Sequence, residues 1–239
     1  MTVGLVPTMG ALHGGHRALL RRARTECDEV VMSLFVNPAQ FGPGEDFDRY
    51  PRDEGRDRAI AAEEGVDRIF APTVAEMYPD GFSTTVSVGA LATVFEGAHR
   101  PGHFDGVTTV VLKLFSLIRP DAAYFGQKDA QQLAVIRRMT ADLGLGVEIR
   151  AVETVREDDG LALSSRNAYL SAEERRRAPS LHRALRARDR GLVEGEVDYL
   201  AVVDADTFAE IEPQAGALVI GAARFGSTRL IDNIRIEGR

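Results

Sequence analysis

Short apolar runs alternate with helical patterns through the first 150 or so residues, and this alternation constrains the fold more than any other feature. The runs are rich in β-branched residues, as in strands that are buried on both faces of a sheet. Strands separated by helices predict a parallel sheet with helices on both faces, an α/β fold. The expected strands are 3–6, 29–36, 67–70, 122–125 and 147–152, and the expected helices are 17–26, 53–64, 107–118 and 129–143.

Polar residues follow three of these strands. In open parallel sheets, ligands bind beyond the carboxyl ends of the strands, so the loops after strands 3–6, 29–36 and 122–125 should open at one edge. The residues that we expect there are His13, His16, Asn37, Gln40, Lys128 and Asp129.

The pattern changes after residue 154. A turn at 157–160 and a polar loop at 163–167 precede a helix rich in Arg and Ala that starts at Ser171. Three β-type runs then suggest a small antiparallel sheet. We therefore expect two domains, residues 1–154 and residues 155–239. The three runs are 197–203, 217–225 and 228–236.

Charge and cysteine content exclude several classes of protein. The formal net charge is −7, which argues against a nucleic-acid-binding surface. The one cysteine, Cys27, has acidic neighbours that disfavour a thiolate, so we interpret it as a half-buried thiol at a helix end.

The chain shows no signal peptide and no apolar run of the roughly 20 residues that a membrane span needs. We expect a cytoplasmic protein without membrane partners.

Two histidines lie in a glycine-rich turn between the first expected strand and helix. A helix start has unpaired backbone N–H groups and the positive end of the helix dipole, which together suit phosphates. The turn lacks the Gly-Lys-Ser/Thr end of a P-loop. Metal binding by His13 and His16 is a rival interpretation, but no Cys, Asp or Glu at ligand spacing accompanies them. The isolated His182 lies in an Arg-rich helix and is interpreted as structural.

A second polar segment follows the fourth expected strand. Gly126 permits a ligand to approach the backbone closely, Lys128 supplies a mobile cation, and Asp129 fits a helix N-cap. Of Gln131 and Gln132, we expect one to face the cleft and the other to face solvent.

Two further loops carry groups that bind anions. Residues 163–166 combine two serine hydroxyls with Arg166, a pattern suited to clamping a phosphate. Residues 96–104 are expected to form a loop with more cationic donors. Each of these signals is weak when it is taken alone.

Segments along nearly the whole chain are similar to one known family. They are PTMGALHGGH at 7–16, FVNPAQF at 35–41, YPR at 50–52, RPGHFDGVTTVVLKLF at 100–115, FGQKDAQQL at 125–133, REDDGLALSSRNAYL at 156–170 and TRLIDNI at 228–234. In this order they resemble the pantothenate synthetase (pantoate–β-alanine ligase) family. An HxGH motif alone is shared with other nucleotidyltransferase-like enzymes, whereas seven ordered segments are specific.

The resemblance implies a Rossmann-like N-terminal domain of the class-I synthetase/nucleotidyltransferase type, a smaller α+β C-terminal lid domain and a homodimer. It also implies two half-reactions. The carboxylate of pantoate attacks the α-phosphorus of ATP, with Mg²⁺, to give pantoyl adenylate and pyrophosphate. The amine of β-alanine then attacks the acyl carbon and gives pantothenate and AMP.

The resemblance assigns catalytic roles to four residues of this chain. His16 matches the family's proposed proton donor, and His13 matches its phosphate-binding companion. Lys128 and Arg166 complete the set. Their charges suit the physical problem, because both reactants are anions and charge accumulates on the phosphoryl oxygens. The protein ligands of the metal stay unassigned.

The resemblance also assigns the substrates. Gln40 and Gln132 hold pantoate, with Gln40 also near β-alanine. The loop 155–166 is the candidate lid, because an acyl adenylate must be kept from water. ATP is assigned to Met9, Gly10, Ala11, Leu12, His13, Gly14, Gly15, His16, Gly126, Gln127, Lys128, Asp129, Val155, Leu163, Ser164, Ser165 and Arg166.

The chain departs from the family pattern in three places. It begins at the family's first strand, without the helical segment that usually precedes it. Its C-terminal region is short, with one clear helix between residues 170 and 197. Gly14 stands where the family often has an acid. We expect the two missing parts to affect domain packing or the dimer rather than the chemistry, and Gly14 to loosen the turn without harm.

Two alternatives stay open. The first is a nucleotidyltransferase that joins AMP or CMP to a phosphorylated acceptor, which would not need the amide pairs at 37/40 and 131/132. The second is a trimmed, inactive nucleotide-binding or interaction protein. Detection of a stable nucleotidylated product would favour the first, and tight ATP binding without turnover would favour the second.

Overall fold

A computed structural model describes residues 1–238. Contacts between residues divide the chain into two compact units. The first unit comprises Met1–Gly126 and Gln131–Val152, and the second comprises Gln127–Ala130 and the chain from Glu153 onward. The division into domains at residues 154 and 155 stays a prediction.

The first unit contains a five-stranded sheet in which every neighbouring pair of strands is parallel. The strand order is β3-β2-β1-β4-β5, so the order reverses between β1 and β4. This is the α/β, Rossmann-like arrangement that the alternating pattern predicts. The strands are β1 (Val3–Thr8), β2 (Glu29–Leu34), β3 (Arg68–Phe70), β4 (Ala122–Gly126) and β5 (Glu148–Val152).

Both faces of this sheet are buried. Successive side chains of a strand point to opposite faces, so neighbouring residues of β1 enter different cores. Leu5 packs in a cluster with Val111 and Ile136, while Val6 packs in a second cluster with Leu20 and Ile60. Apolar residues on both faces explain why the strands lack an alternating polar pattern.

The helices of the first unit differ from expectation at two points, one of which is the short α3, Val74–Met77, that was not predicted. The segment 96–104 was expected to be a loop, but it contains α4 and the start of the next helix. Gly102 adopts φ +79°, which turns the chain sharply and allows that helix to begin at His103. The helices are α1 (Gly14–Glu26), α2 (Glu54–Glu63), α3 (Val74–Met77), α4 (Glu96–His99), α5 (His103–Ile118) and α6 (Ala130–Asp142). Along residues 1–238, no helix combines the length and apolar character that a membrane crossing requires.

The second unit contains the antiparallel sheet that the C-terminal pattern predicts. Its strands, β6 (Glu196–Val203), β7 (Leu218–Phe225) and β8 (Thr228–Arg235), pair in that order. The prediction of one helix between residues 170 and 197 is wrong. Two helices, α7 (Ala172–Arg177) and α8 (Ser180–Ala187), are separated by Pro179, which lacks the N–H that a continuous helix would use.

Candidate active site

The histidine turn, residues 9–16, connects the carboxyl end of β1 to α1. His13 is the N-cap of α1, and its Nδ1 accepts the N–H of Gly15 at 3.1 Å. The Nδ1 of His16 accepts the N–H of His13 at 3.2 Å, which completes a capping box made of imidazoles. The two predicted catalytic side chains therefore also stabilise the start of their own helix.

These hydrogen bonds determine where the ring protons are. A backbone N–H can only donate, so each Nδ1 is an unprotonated acceptor and each neutral ring carries its proton on Nε2. The rings are half-buried, and their centroids lie 4.1 Å apart. The turn thus provides two Nε2–H donors beside the positive end of the α1 dipole, an arrangement suited to phosphoryl oxygens.

A buried carboxylate in the first turn of α2 stabilises the histidine turn. Asp57, on α2, is 1% exposed, and its Oδ1 accepts the N–H of Leu12 at 2.7 Å. Burial raises the pKa of Asp57. Gly10 is required beside it, because φ is +74° and a Cβ there would lie 2.5 Å from the Asp57 Oδ2. The Tyr50 hydroxyl donates to the Gly10 carbonyl at 3.3 Å. Sequence analysis missed Asp57, because nothing in a polar helix pattern marks one acid as buried.

Gln40 lies against the histidine turn. It ends a 3-10 turn, Pro38–Gln40, that follows β2, and it is 8% exposed. Its Nε2 donates to the Met9 Sδ at 3.2 Å, and its Oε1 accepts from the Asn37 Nδ2 at 3.1 Å. The structure therefore brings together two of the predicted site segments, the histidine turn and the amide assigned to pantoate.

Asn37 anchors this 3-10 turn. Its Oδ1 accepts from the Tyr78 hydroxyl at 2.7 Å, and its Nδ2 donates to the Gly106 carbonyl at 3.1 Å. Burial raises the pKa of Tyr78 to about 12, so the hydroxyl stays a donor. A Cβ on Gly106 would lie 2.2 Å from the Ala39 carbonyl oxygen. Helix α5 thus packs backbone to backbone against the turn that carries Gln40.

A buried imidazole holds the Gln40 backbone. The Nδ1 of His103 lies 2.8 Å from the Gln40 carbonyl oxygen, which can only accept, so Nδ1 carries the proton. Arg100 donates to the other ring nitrogen at 3.0 Å. Burial, with the positive charge of Arg100, lowers the pKa of His103 from 6.5 to about 4. The ring is therefore neutral at physiological pH.

Arg100 is itself held by Glu45, through bonds of 2.9 and 2.6 Å to the two carboxylate oxygens. Burial disfavours the charged form of Glu45, but the bond from Arg100 outweighs it and lowers the pKa. Arg100 and His103, which sequence analysis treated as anion-binding donors, thus act in the structure on Gln40 and Glu45.

Gln131 and Gln132 do not divide between cleft and solvent as expected. Gln131 is 5% exposed and is a structural residue. Its Oε1 accepts the N–H of Glu96, and its Nε2 donates to the carbonyls of Leu91 and Val94 at 2.9 and 2.8 Å. Gln132 is half-buried rather than exposed. Gln131 therefore faces neither the cleft nor solvent, because it forms hydrogen bonds with the segment 91–96.

Lys128 belongs to the second unit. It lies in the 3-10 turn Gln127–Asp129, directly before α6, so its predicted position at a helix start is confirmed. Its Nζ lies 3.5 Å from the Asp129 Oδ1. The side chain of Lys128 is 18% exposed.

The candidate lid also belongs to the second unit. Val155 accepts the N–H of Leu163 at 2.9 Å, which brings these two predicted ATP residues together. Ser164 is the N-cap of the 3-10 turn Ser165–Tyr169, and its Oγ accepts the N–H of Arg166 at 3.3 Å. Ser164 thus shapes the loop locally, in addition to any contact with ligand.

The predicted ATP residues lie in both units. Met9, Gly10, Ala11, Leu12, His13, Gly14, Gly15, His16 and Gly126 are in the first unit, and Gln127, Lys128, Asp129, Val155, Leu163, Ser164, Ser165 and Arg166 are in the second. Among residues 1–238, no group of three or more His, Cys, Asp or Glu side chains is placed to hold a metal ion.

Known proteins share both the sequence and the structure of this chain. The family model for pantoate-beta-alanine ligase matches residues 1–235. The pantothenate synthetase of Moorella thermoacetica is 54% identical, with 99% of this chain and 92% of the relative covered. The crystal structure of pantothenate synthetase from Thermus thermophilus has a TM-score of 0.95 at 53% identity and covers 100% of this chain and 94% of its own.

A second similar structure contains ligands. It is pantoate-beta-alanine ligase from Francisella tularensis complexed with beta-gamma ATP and beta-alanine. It has a TM-score of 0.87 at 34% identity and covers 98% of this chain and 89% of its own.

The strand order and the histidine turn after the central strand define a Rossmann-like α/β enzyme. The chain belongs to the pantoate–β-alanine ligase family, whose members use ATP to join pantoate to β-alanine. It is therefore a ligase that forms an amide bond, and the nucleotidyltransferase alternative is set aside.

Proposed function

We propose that this ligase activates pantoate as an acyl adenylate before the amide bond forms. The observation that carries the proposal is the histidine turn, which places two Nε2–H donors and a helix N-terminus at the carboxyl end of β1. The pantoate carboxylate and ATP are both anions and repel each other. A site that joins them needs donors and cations where negative charge accumulates.

In the first step, a carboxylate oxygen of pantoate attacks the α-phosphorus of ATP. The bond from that phosphorus to the oxygen that bridges it to the β-phosphate breaks, and pyrophosphate leaves with the electron pair. We assign His16, which matches the family's proton donor, to the leaving pyrophosphate: its neutral ring donates a hydrogen bond from Nε2–H and keeps the proton. We assign His13 as a phosphate-binding donor, in line with its protonation on Nε2. Lys128 and Arg166 neutralise the charge on the phosphates.

In the second step, the amine of β-alanine attacks the acyl carbon of the adenylate. The new C–N bond forms, the bond from that carbon to the phosphate-linked oxygen breaks, AMP leaves with the electron pair, and the attacking nitrogen releases one proton to solvent. We assign Gln40 and Gln132 to pantoate, with Gln40 also near β-alanine. The Gln40 carboxamide is already oriented by Met9 and Asn37, so less freedom is lost when substrate binds.

Mg²⁺ fits this donor set as a partner of ATP. Mg²⁺ keeps several waters and is usually held by substrate phosphates with one or two carboxylates, so it does not require a cluster of protein ligands. Asp129 is the carboxylate among the residues assigned to ATP, and its side chain is 44% exposed. When bound, the ion would offset phosphate charge.

Three further features belong to the proposal. Residues 1–154 bind ATP and pantoate, and residues 155–239 act as a lid domain whose loop 155–166 shields the adenylate from water. The enzyme works as a homodimer. These statements are supported by the resemblance of the seven sequence segments to the family.

The decisive experiment follows the products. Purified protein is incubated with ATP, Mg²⁺, pantoate and β-alanine, and AMP, pyrophosphate and pantothenate are measured. Omission of β-alanine isolates the first step, which is followed by pantoate-dependent exchange of labelled pyrophosphate into ATP. We expect equal amounts of AMP and pantothenate. Folded protein that makes pantothenate without pantoate-dependent exchange would contradict the adenylate, and folded protein that releases no AMP would support the inactive alternative.

A further inference from the structure

The backbone around Lys128 is held by a residue of β8 to which sequence analysis gave no role. Asn233 is 5% exposed. Its Nδ2 donates to the Gln127 carbonyl at 2.9 Å and to the Lys128 carbonyl at 2.8 Å. One buried carboxamide therefore restrains two successive peptide groups that precede it by 106 and 105 residues in the sequence.

Asn233 is itself held by an ion pair between the half-buried Arg156 and the buried Asp232. Arg156 donates to the two carboxylate oxygens of Asp232 at 2.7 and 2.8 Å, and also to the Asn233 carbonyl at 3.0 Å. The Asp232 Oδ1 accepts the N–H of Asn233 at 2.7 Å. Burial disfavours the charged form of Asp232, but His182 and Arg156 outweigh it and lower the pKa. The peptide groups on both sides of Asn233 are thus restrained, and with them the direction of its side chain.

Such a restraint matters for lysine more than for most residues. The ammonium of Lys128 ends a flexible stem, so its position is only as well determined as the backbone from which the stem starts. A misplacement of about 1 Å at a reacting group can cost about 10²-fold in rate. The two carbonyl bonds from Asn233 act at the peptide groups on either side of the Lys128 Cα.

We propose that Asn233 is a positioning residue for Lys128: it holds the carbonyls of residues 127 and 128 and so determines where the Lys128 ammonium meets the phosphates of ATP. The inference rests on the proposed role of Lys128 in adenylate formation. Asn233 itself touches no reacting atom.

A double-mutant cycle tests the proposal. Asn233→Ala, Lys128→Ala and the double variant are compared by pantoate-dependent exchange of labelled pyrophosphate into ATP. We expect Asn233→Ala alone to lower kcat about 10-fold with the KM for pantoate changed less than about twofold. In the Lys128→Ala background, the same substitution should change the rate less than about twofold, because the group that it positions is gone. Equal losses in both backgrounds would show a general structural role and overturn the proposal.

The cycle separates this inference from the function on which it rests. If Lys128→Ala alone stays within a few-fold of wild type, the role of Lys128 fails, and the proposal fails with it. If Lys128→Ala loses about 10²-fold but the Asn233 effect is undiminished beside it, only the positioning role fails.

Two further variants test whether misfolding explains the loss of activity. Asn233→Ser keeps one donor and should show a smaller loss with the same dependence on Lys128; a serine variant as active as wild type would overturn the proposal. Thr228→Val is the matched control, because Thr228 is 3% exposed at the other end of β8 and its hydroxyl meets no partner among residues 1–238. It should retain wild-type exchange within about twofold, and melting curves of all variants are compared.

Discussion

The histidine turn and the Gln40 turn follow neighbouring strands of one sheet, but they are stabilised in different ways. The histidine turn is closed by bonds between residues two and three apart, His13 to Gly15 and His16 to His13. The Gln40 backbone is held by His103, which follows it by 63 residues. The imidazole bonds of the histidine turn are local in sequence, and Asp57 and Tyr50 add long-range support to it, whereas the Gln40 backbone is held by His103 only when α5 is in place. Each turn also contacts one buried titratable group, and the pKa values of these two groups shift in opposite directions. The pKa of Asp57 is raised and that of His103 is lowered.

The largest effect should come from His16. His16→Ala removes a hydrogen-bond donor to pyrophosphate and half of the capping box, and we expect adenylate formation to fall by about 10²-fold or more. Pantoate-dependent pyrophosphate exchange measures it. The KM for pantoate should change little, because Gln40 keeps its partners. His99→Ala, an exposed histidine on α4, is the control. A His16 variant within a few-fold of wild type would remove the catalytic role.

The stability that His103 contributes at the Gln40 turn should fall in acid. The lowered pKa of His103 means that the unfolded chain binds its proton more readily, so the stability from this group is present above pH 6.5 and is lost as the pH falls towards 4. A shift from 6.5 to about 4 corresponds to about 3 kcal/mol.

His103→Asn keeps a donor towards the Gln40 carbonyl but cannot titrate. Urea unfolding of both proteins between pH 7 and about pH 4 isolates the imidazole, because the carboxylates are common to both. The wild-type free energy of unfolding should fall by about 3 kcal/mol more than that of the variant. Parallel pH profiles would show that His103 is not the responsible group.

The stability that Asp57 contributes at the histidine turn should change more on substitution than on acidification. Asp57→Ala leaves the buried N–H of Leu12 without its acceptor and should lower the free energy of unfolding by about 2 kcal/mol. Asp57→Asn keeps an acceptor and should lie within about 1 kcal/mol of wild type at neutral pH.

The raised pKa of Asp57 sets the sign of its pH dependence. The folded state binds the proton more tightly, so this stability is present below the unfolded pKa and is lost as the pH rises through the folded pKa. Asp57→Asn should abolish that loss in urea unfolding curves. An alanine variant as stable as the asparagine variant would show that the Leu12 bond contributes nothing.

The smallest expected losses of stability come from removing two tyrosine hydroxyls, one at each turn. Tyr78→Phe removes a 2.7 Å bond to Asn37 and should cost about 1 kcal/mol, while Tyr50→Phe removes a 3.3 Å bond to Gly10 and should cost less. Thermal unfolding measures both. A larger loss at Tyr50 would reverse the view that the Gln40 turn depends more on tertiary bonds.

The sequence alone predicts the parts of this molecule that depend on local patterns. The parallel sheet, the small antiparallel sheet and the helix start at the histidine turn all follow from periodicity and turn residues. The family resemblance adds the function. Roles of individual residues toward ATP and pantoate stay predictions, because they concern ligands rather than the fold.

Other features could not be predicted because they depend on long-range burial. Asp57 reads as one more acid in a polar helix, and Gln131 cannot be distinguished from Gln132 until the loop that covers it is known. Arg100 and His103 have the residue types of an anion site, but Glu45 and Gln40 engage them. Pro179 is a helix-breaking signal in the sequence itself, and the prediction of a single helix did not take it into account.

The contact between Gly106 and the Ala39 carbonyl limits how this enzyme can be engineered. Alanine in place of glycine inside a helix ordinarily gains up to about 1 kcal/mol, so α5 looks like an easy target for thermostabilisation. Here the added methyl group would displace the turn that carries Gln40. Gly106→Ala would therefore lower the melting temperature as well as displace Gln40, and α5 is better improved on its exposed face, for example at Leu117.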